Sequence, residues 1–392
     1  PADRPAQVVA DQQDAVETAR DVDLPREAAD FTASRVEIIQ RSFQATGLSR
    51  RVSELLARRN RRSSIATYEA KWRVYVRWCV GRRIDPLSAP LRSVLDFFCY
   101  LFDRLGLKPV TIEGYRSMLT PVLRIRGVDL AQAHTVSDLL ASFRTQRPRE
   151  APTFPEWDVA FVLYSLTKAP WEPMAEAPVW RVSLKTLFLL LLASGRRRSD
   201  VGAIDISRIA FAADGSATLY PSREFVPKTR AAMEGNAAFS PITIPSIVHF
   251  VGVGEPDANL CPVRALKIYL ERTKAFRGGR KRLFISYQRK RRTDITAATL
   301  SRWVKQLVRF VYTESGALDQ VTYKITAHQI RHISMSLATR CNVPIETVVR
   351  AGMWTNSTTF LEFYLADASE ALAQSGRFRL GPLVTAQTIV KS

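Results

Sequence analysis

Residues 328–364 read HQIRHISMSLATRCNVPIETVVRAGMWTNSTTFLEFY. His328 and Arg331 stand one helical turn apart, so a helix here presents both side chains on one side. The stretch closes with a Gly-x-Trp (Gly352, Trp354) and, ten residues after the tryptophan, Tyr364. Far upstream, LLASGRRRSD at 191–200 is an apolar, helix-like run that breaks into Arg196, Arg197 and Arg198. Arginine forks bind phosphate oxygens in bidentate fashion. Histidine and tryptophan N–H groups add donors, and a tyrosine can be a nucleophile. Together these residue types suit cleavage of a phosphodiester without a metal.

Charge points the same way. The chain has 392 residues and a formal net charge of +20. Residues 1–30 hold eight acids against three arginines, a balance of −5 that leaves +25 on the remainder. A body that basic binds polyanions, because each neutralised phosphate releases condensed counterions. A merely solvated basic surface is the plainer reading. A membrane partner is not expected: no lipid-binding helix or lipidation signal stands out, the longest apolar run (Leu187–Ala193) is too short to span a bilayer, and no signal peptide is visible. The four cysteines (Cys79, Cys99, Cys261, Cys341) are scattered without a C-x-x-C, so they read as reduced core thiols of an intracellular protein. The start at Pro1 without methionine fits an excised or processed piece.

The length suggests two domains. Residues 1–35 read as a flexible acidic arm. A helical domain follows over 36–147. A short helix runs through Val36, Ile39 and Phe43, and the basic stretch Arg58–Arg62 comes next. A long helix capped by Ser63 and Ser64 carries Ile65, Tyr68, Trp72, Val76 and Cys79 at helical spacing. Further helices are expected over Leu91–Leu105, from Thr111 through Tyr115, Met118 and Val122, and over Val136–Phe143. Pro148, Pro152 and Pro155 place a linker at 148–157. The second domain, 158–365, opens with helices at Val159–Leu166 and Leu184–Ala193. Strands are expected at Ala217–Tyr220, Glu224–Val226 and Ile242–Ile244. Helices return at Pro262–Thr273, Ala298–Tyr312, Ala327–Thr339, Ile345–Ala351 and Thr358–Leu365. The tail 366–392 has one short helical piece, Ser369–Ala373. The fold class is mainly α: an all-helical N-terminal domain and a mixed α+β domain with a small sheet.

On the residues quoted, 40–365 resembles a tyrosine recombinase, a family that includes the phage-type integrases. It is most similar to the recombinases of DIRS-like and Ngaro retrotransposons, with Cryptons as relatives. The resemblance implies a helical core-binding domain and a catalytic domain, clamp-like around double-stranded DNA. It also implies cleavage and rejoining through a 3′-phosphotyrosyl intermediate and a Holliday junction, with no cofactor and no metal. The family's Thr-Gly-Leu-Arg-x-x-Glu falls on Ser194-Gly195-Arg196-Arg197-Arg198-Ser199-Asp200. That makes Arg197 the catalytic arginine and Asp200 its supporting acid, with Arg196 and Arg198 directed to the DNA backbone or solvent. A basic helix end complementing its dipole is the structural reading of the same run.

The resemblance further assigns Lys228, with Arg230 as the rival, to a hairpin turn as general acid for the leaving 5′-oxygen. It assigns Arg331 to the phosphate clamp with Arg197. His328 donates to a non-bridging oxygen or helps deprotonate the tyrosine, and His332 packs behind the motif. Trp354 stands where many relatives carry a second histidine. Its indole can donate a hydrogen bond but cannot transfer a proton. Tyr364 is the nucleophile, one residue later than in many relatives, with Phe363 packed beneath it. The tail resembles the helix that docks into a neighbouring protomer, implying dimers and tetramers on DNA. A nuclear location follows from the retroelement resemblance.

Arg277–Arg282 and Arg289–Arg292 are phosphate contacts, a nuclear address or solvated loop charge. Arg58–Arg62, Lys71, Arg73, Arg77 and Arg116 are candidates for a helix face on DNA. Two other functions compete: a type IB topoisomerase, whose Ser-Lys-x-x-Tyr signature is missing here, and a catalytically silent, domesticated DNA-binding protein. A metal nuclease is disfavoured, since neither clustered carboxylates nor Cys/His spacing offers a site.

Overall fold

The computed structural model describes residues 33–149, 157–228, 241–248, 252, 256–288, 294–316, 325–340, 342–354, 357 and 361. The chain divides into two units, Pro1–Glu150 and Ala151–Ser392.

The first unit is helical: α1 (Arg35–Ala45), α2 (Arg50–Ala57), α3 (Arg62–Val80), α4 (Leu91–Cys99, continued by a π-helical turn Tyr100–Arg104), α5 (Pro109–Leu123) and α6 (His134–Gln146). α1 begins with a capping box between Ser34 and Glu37. Its first turn is also tied to α3, since Glu69 accepts from the backbone N–H groups of Arg35 and Val36 at 3.2 and 3.1 Å. The apolar positions read from the sequence meet around Phe97, whose ring packs edge-on against Tyr75 (5.1 Å) and Tyr115 (5.6 Å) and lies 5.2 Å from Trp78. α6 is fixed by Phe143 stacked on Phe102 at 4.2 Å.

Four expectations in this unit change. The long helix starts at Arg62 with Arg61 as N-cap, so Ser63 and Ser64 fall inside the first turn. The extra helix α2 has no buried apolar stripe to announce it, because Val52, Leu55 and Leu56 are exposed. Arg116 does not reach outward; its guanidinium binds the carbonyls of Leu130 and Ala131 and so holds the loop before α6. Lys71 lies wholly inside the core, donating to the Thr111 carbonyl at 3.1 Å with its ammonium 4.8 Å from the Tyr115 ring centre.

The second unit is built on α8 (Val179–Ser194), buried continuously from Val182 to Ser194. Packed on it are α10 (Pro262–Lys274), α11 (Ala297–Glu314) and α12 (Ala327–Arg340). The remaining helices are α7 (Val159–Leu166), α9 (Arg198–Gly202) and α13 (Ile345–Ala351). An all-round apolar helix is what a central position requires. The one cation in that buried stretch, Lys185, donates to the Leu166 carbonyl at 2.6 Å and to Glu172. Glu172 also takes a two-pronged bond from Arg264, at 2.8 and 2.9 Å. Burial pulls Lys185 down to about 8 against the pull of Glu172. Burial pushes the Glu172 carboxyl up, but the Arg264 bond and Lys185 outweigh it and hold it below its ordinary range. This ion trio locks the segment after α7 to α8 and α10.

Three antiparallel strands, β1 (Ile204–Phe211), β2 (Ala217–Pro221) and β3 (Ile242–Ile244), form a sheet in that order. β1 was not expected. Its register slips between Ile204 and Ile209, and such a bulge breaks the two-residue alternation that announces a strand. Glu224–Val226 is not a strand; Phe225 instead closes a turn onto the Ser222 carbonyl at 3.0 Å. The expected helix Thr358–Leu365 falls outside the described residues apart from Leu361, as does Ser369–Ala373. Among the described residues no helix is long and apolar enough to cross a membrane. The fold is mainly α, with an all-helical first unit and a mixed α+β second unit carrying one small sheet.

Burial lowers the Lys71 ammonium to about 7. The unfolded chain, with an ordinary lysine near 10.5, therefore binds more protons between pH 7 and 10.5. Stability contributed by this residue rises across that window and is lost as pH falls through 7. The slope is about 1.4 kcal/mol per pH unit. Lys71→Met is expected to abolish this component and to raise stability near pH 6. Denaturant unfolding of both proteins between pH 6 and 10 tests it; parallel pH profiles would show that Lys71 keeps an ordinary lysine pKa in the fold.

Candidate functional site

Two helix ends and two helix starts converge here. α8 stops at Gly195, which adopts φ +56°. Glycine is required there twice over: the left-handed turn disfavours a side chain, and a Cβ would lie 2.0 Å from Met335 Cε of α12. The chain then passes Arg196 and enters α9 with Arg197 as N-cap. α12 opens with reciprocal bonds between Thr326 and Gln329, Thr326 N–H to Gln329 Oε1 at 2.7 Å and Gln329 N–H to Thr326 Oγ1 at 3.3 Å. That capping box fixes the turn that carries His328.

α13 ends in a Schellman motif. Met353 N–H donates to the Arg350 carbonyl and Trp354 N–H to the Val349 carbonyl, both at 3.0 Å. The left-handed residue is Met353 (φ +54°), where glycine would ordinarily sit. Gly352, one position earlier, has ordinary φ but must lack a side chain, because its Cβ would lie 1.9 Å from Trp354 Cζ3. The Gly-x-Trp of the sequence is therefore a packing unit, the indole lying across its own helix end.

Arg331 joins these pieces. Its Nη1 donates to the Gly195 carbonyl at 2.9 Å and its Nη2 to the Gly352 carbonyl at 2.6 Å. Its guanidinium lies 3.9 Å from the Trp354 ring centre. The residue is only 1% exposed. In this state Arg331 grips the backbone on both sides of the site, with Trp354 (6% exposed) stacked on it.

His328 is the electrostatic centre. Its imidazole is held well below the ordinary histidine range, first by burial and then by His332, Arg331, Lys228 and Arg197. Those four groups therefore lie within charge reach of one ring, and that ring is neutral at physiological pH. Arg197 and Lys228 are half-buried, so each keeps a face toward solvent. Lys228 lies in the segment joining β2 to β3, and Arg230 is outside the described residues.

Arg196 was expected to face DNA or solvent. It is instead 3% exposed, with its pKa lowered by burial to about 10 and the Asp200 charge opposing that fall. Asp200 is itself buried and accepts from Ser199 Oγ at 3.1 Å. Arg198 is half-buried, and burial lowers it too. Only Arg197 of the cluster is placed as a half-open cation against His328. His332 was expected behind the motif; it is half-exposed, with its ring centre 4.8 Å from that of His328 at 73°. Its spacing of four residues after His328 is the signal that could have placed it on the same face. Tyr364 lies outside the described residues. Among the described residues no three His, Cys, Asp or Glu side chains gather as a metal site would require.

Gly352→Ala is expected to expel the Trp354 ring and cost about 1–3 kcal/mol, the usual penalty for overpacking. Met353→Gly should stay within about 1 kcal/mol, since relief of the left-handed strain offsets the lost side chain. Thermal unfolding of the two variants checks this; equal effects would show that the indole does not depend on the missing side chain at 352.

No family model matches the chain, and no curated protein does. Solved structures do. The XerH site-specific recombinase in a post-cleavage complex with a palindromic difH substrate is 13% identical, covers 87% of this chain and 95% of its own, and superposes with a TM-score of 0.51. A lambda integrase tetramer bound to a Holliday junction is 17% identical over 96% of this chain and 89% of its own, at 0.46. The Tn1549 transposon integrase with circular-intermediate DNA is 12% identical over 87% of this chain and 98% of its own, at 0.47. The XerH likeness carries the conclusion: the chain has the fold of the tyrosine recombinases.

Proposed function

We propose that this chain is a site-specific DNA recombinase of the tyrosine type, which cuts and rejoins double-stranded DNA. The observation that supports it most is the convergence of Arg197, Lys228, Arg331 and His332 on the neutral ring of His328, on a recombinase fold. In this reading the Tyr364 hydroxyl oxygen attacks the scissile phosphorus in line, and its proton passes to the neutral His328. The bond from phosphorus to the 5′-oxygen breaks, Lys228 donates the proton that makes the leaving group a 5′-hydroxyl, and a 3′-phosphotyrosyl bond conserves the linkage. Arg197 supplies charge to the non-bridging oxygens from a fixed helix entry. Arg331, buried as it is, joins the clamp when its fork exchanges the Gly352 carbonyl for a phosphate oxygen, and until then it holds both arms of the site. Trp354 supports that fork through its ring.

Rejoining is the same step reversed with a different 5′-hydroxyl, and exchange of strands between duplexes makes a Holliday junction. Assembly into dimers and tetramers on DNA, with the tail 366–392 reaching a neighbouring copy, belongs to this proposal, as do a retrotransposon origin and a nuclear location. The basic remainder of the chain, +25 outside residues 1–30, supports a long phosphate-contacting surface.

The test is a nicked suicide duplex carrying candidate sites from random selection, in EDTA. A denaturant-resistant protein–DNA adduct is expected, absent in Tyr364→Phe and reduced roughly 100- to 1000-fold in rate in Arg197→Ala, as for loss of a transition-state donor. Tight binding without an adduct on any selected site would make the protein a silent DNA binder.

A further inference from the structure

We infer that His332 is a positioning residue of the site, which fixes the ring plane of His328 by packing edge-to-face against it. This rests on the recombinase reading. The two imidazoles sit one turn apart on α12, their centres 4.8 Å apart and their planes crossed at 73°. Aromatic rings hold that arrangement because the positive edge of one meets the negative face of the other.

His332 is half-exposed, so core packing does not account for its place, whereas its neighbours Arg331 and Ile333 are sealed inside. The other charged groups acting on His328 come from three elements: Arg331 from the same helix, Lys228 from the β2–β3 segment and Arg197 from the start of α9. All three repel an imidazolium, as His332 does, and His332 adds a ring packed edge-to-face against it. A neutral imidazole must also present one chosen nitrogen to its partner, and a rotated ring presents the wrong one. Trp354 cannot substitute, because its indole is stacked on Arg331. α12 thus uses one ring contact to set the arginine and another to set the histidine. An orientation error in such a group costs on the order of 10- to 100-fold in rate.

The chain has four histidines, so selective labelling of the imidazole Cε1 resolves His328 in the full-length protein, with His328→Gln used for assignment only. One sharp His328 resonance is expected in the wild type and in His332→Phe, which keeps a ring, and a broadened or doubled one in His332→Ala. On the suicide duplex, His332→Ala should form the adduct about 10- to 100-fold more slowly with unchanged DNA affinity and melting temperature, and His332→Phe should recover to within several-fold. A sharp, unshifted His328 resonance in His332→Ala overturns the inference. Equal loss in Phe and Ala variants also overturns it, since the nitrogens of His332 and not its ring would then be needed. If the wild type forms no adduct, the recombinase reading fails, and the resonance experiment still decides whether His332 holds His328.

Discussion

The second unit depends on one guanidinium. Arg331 donates to the Gly195 and Gly352 carbonyls and lies against Trp354, so a single planar fork joins the end of α8, the start of α12 and the end of α13. Carbonyls at helix ends lack intrahelical partners and carry the negative end of the helix dipole, which makes them good acceptors for a buried cation. The same requirement explains both glycines. Gly195 lets the α12 side chains close over the α8 end, and Gly352 lets the indole fold back over the fork.

That arrangement also accounts for the state of His328. Burial first, and then the charges of His332, Arg331, Lys228 and Arg197, make protonation of this imidazole unfavourable. A neutral ring can still accept a proton, whereas a charged one could only donate. Burial and cation density together thus set the protonation state of this imidazole.

Much of the fold was legible where one physical signal dominated. Helices α1 and α3 through α8 follow from apolar periodicity, and the pairing of His328 with Arg331 follows from a turn of helix. β1 was hidden because its bulge disrupts the alternation, and α2 because its apolar residues face outward. The arginine run was read by analogy, and its centre did fall against His328. Nothing in the residues themselves distinguished the half-open Arg197 from the sealed Arg196, a difference made by tertiary packing around Asp200. Lys71 and Lys185 teach the same lesson: a basic sequence does not place every cation on the surface, and two of these lie in the cores of their units. His332 lies on the His328 face of the helix, as its four-residue spacing allows.

Trp354 is anchored by its Schellman turn and its stack on Arg331. Tyr364 follows it ten positions on, with nine residues between, and whatever path they take, a chain of that length spans at most about 35 Å. The phenol is therefore tethered to a post only a few ångströms from Arg331. In the proposed reaction its supply to phosphate follows from the chain's own geometry, as an effective concentration independent of how dilute the protein is. In the proposed assembly that span also bounds reach to an adjoining copy, so the tryptophan defines the radius within which a partner site must lie.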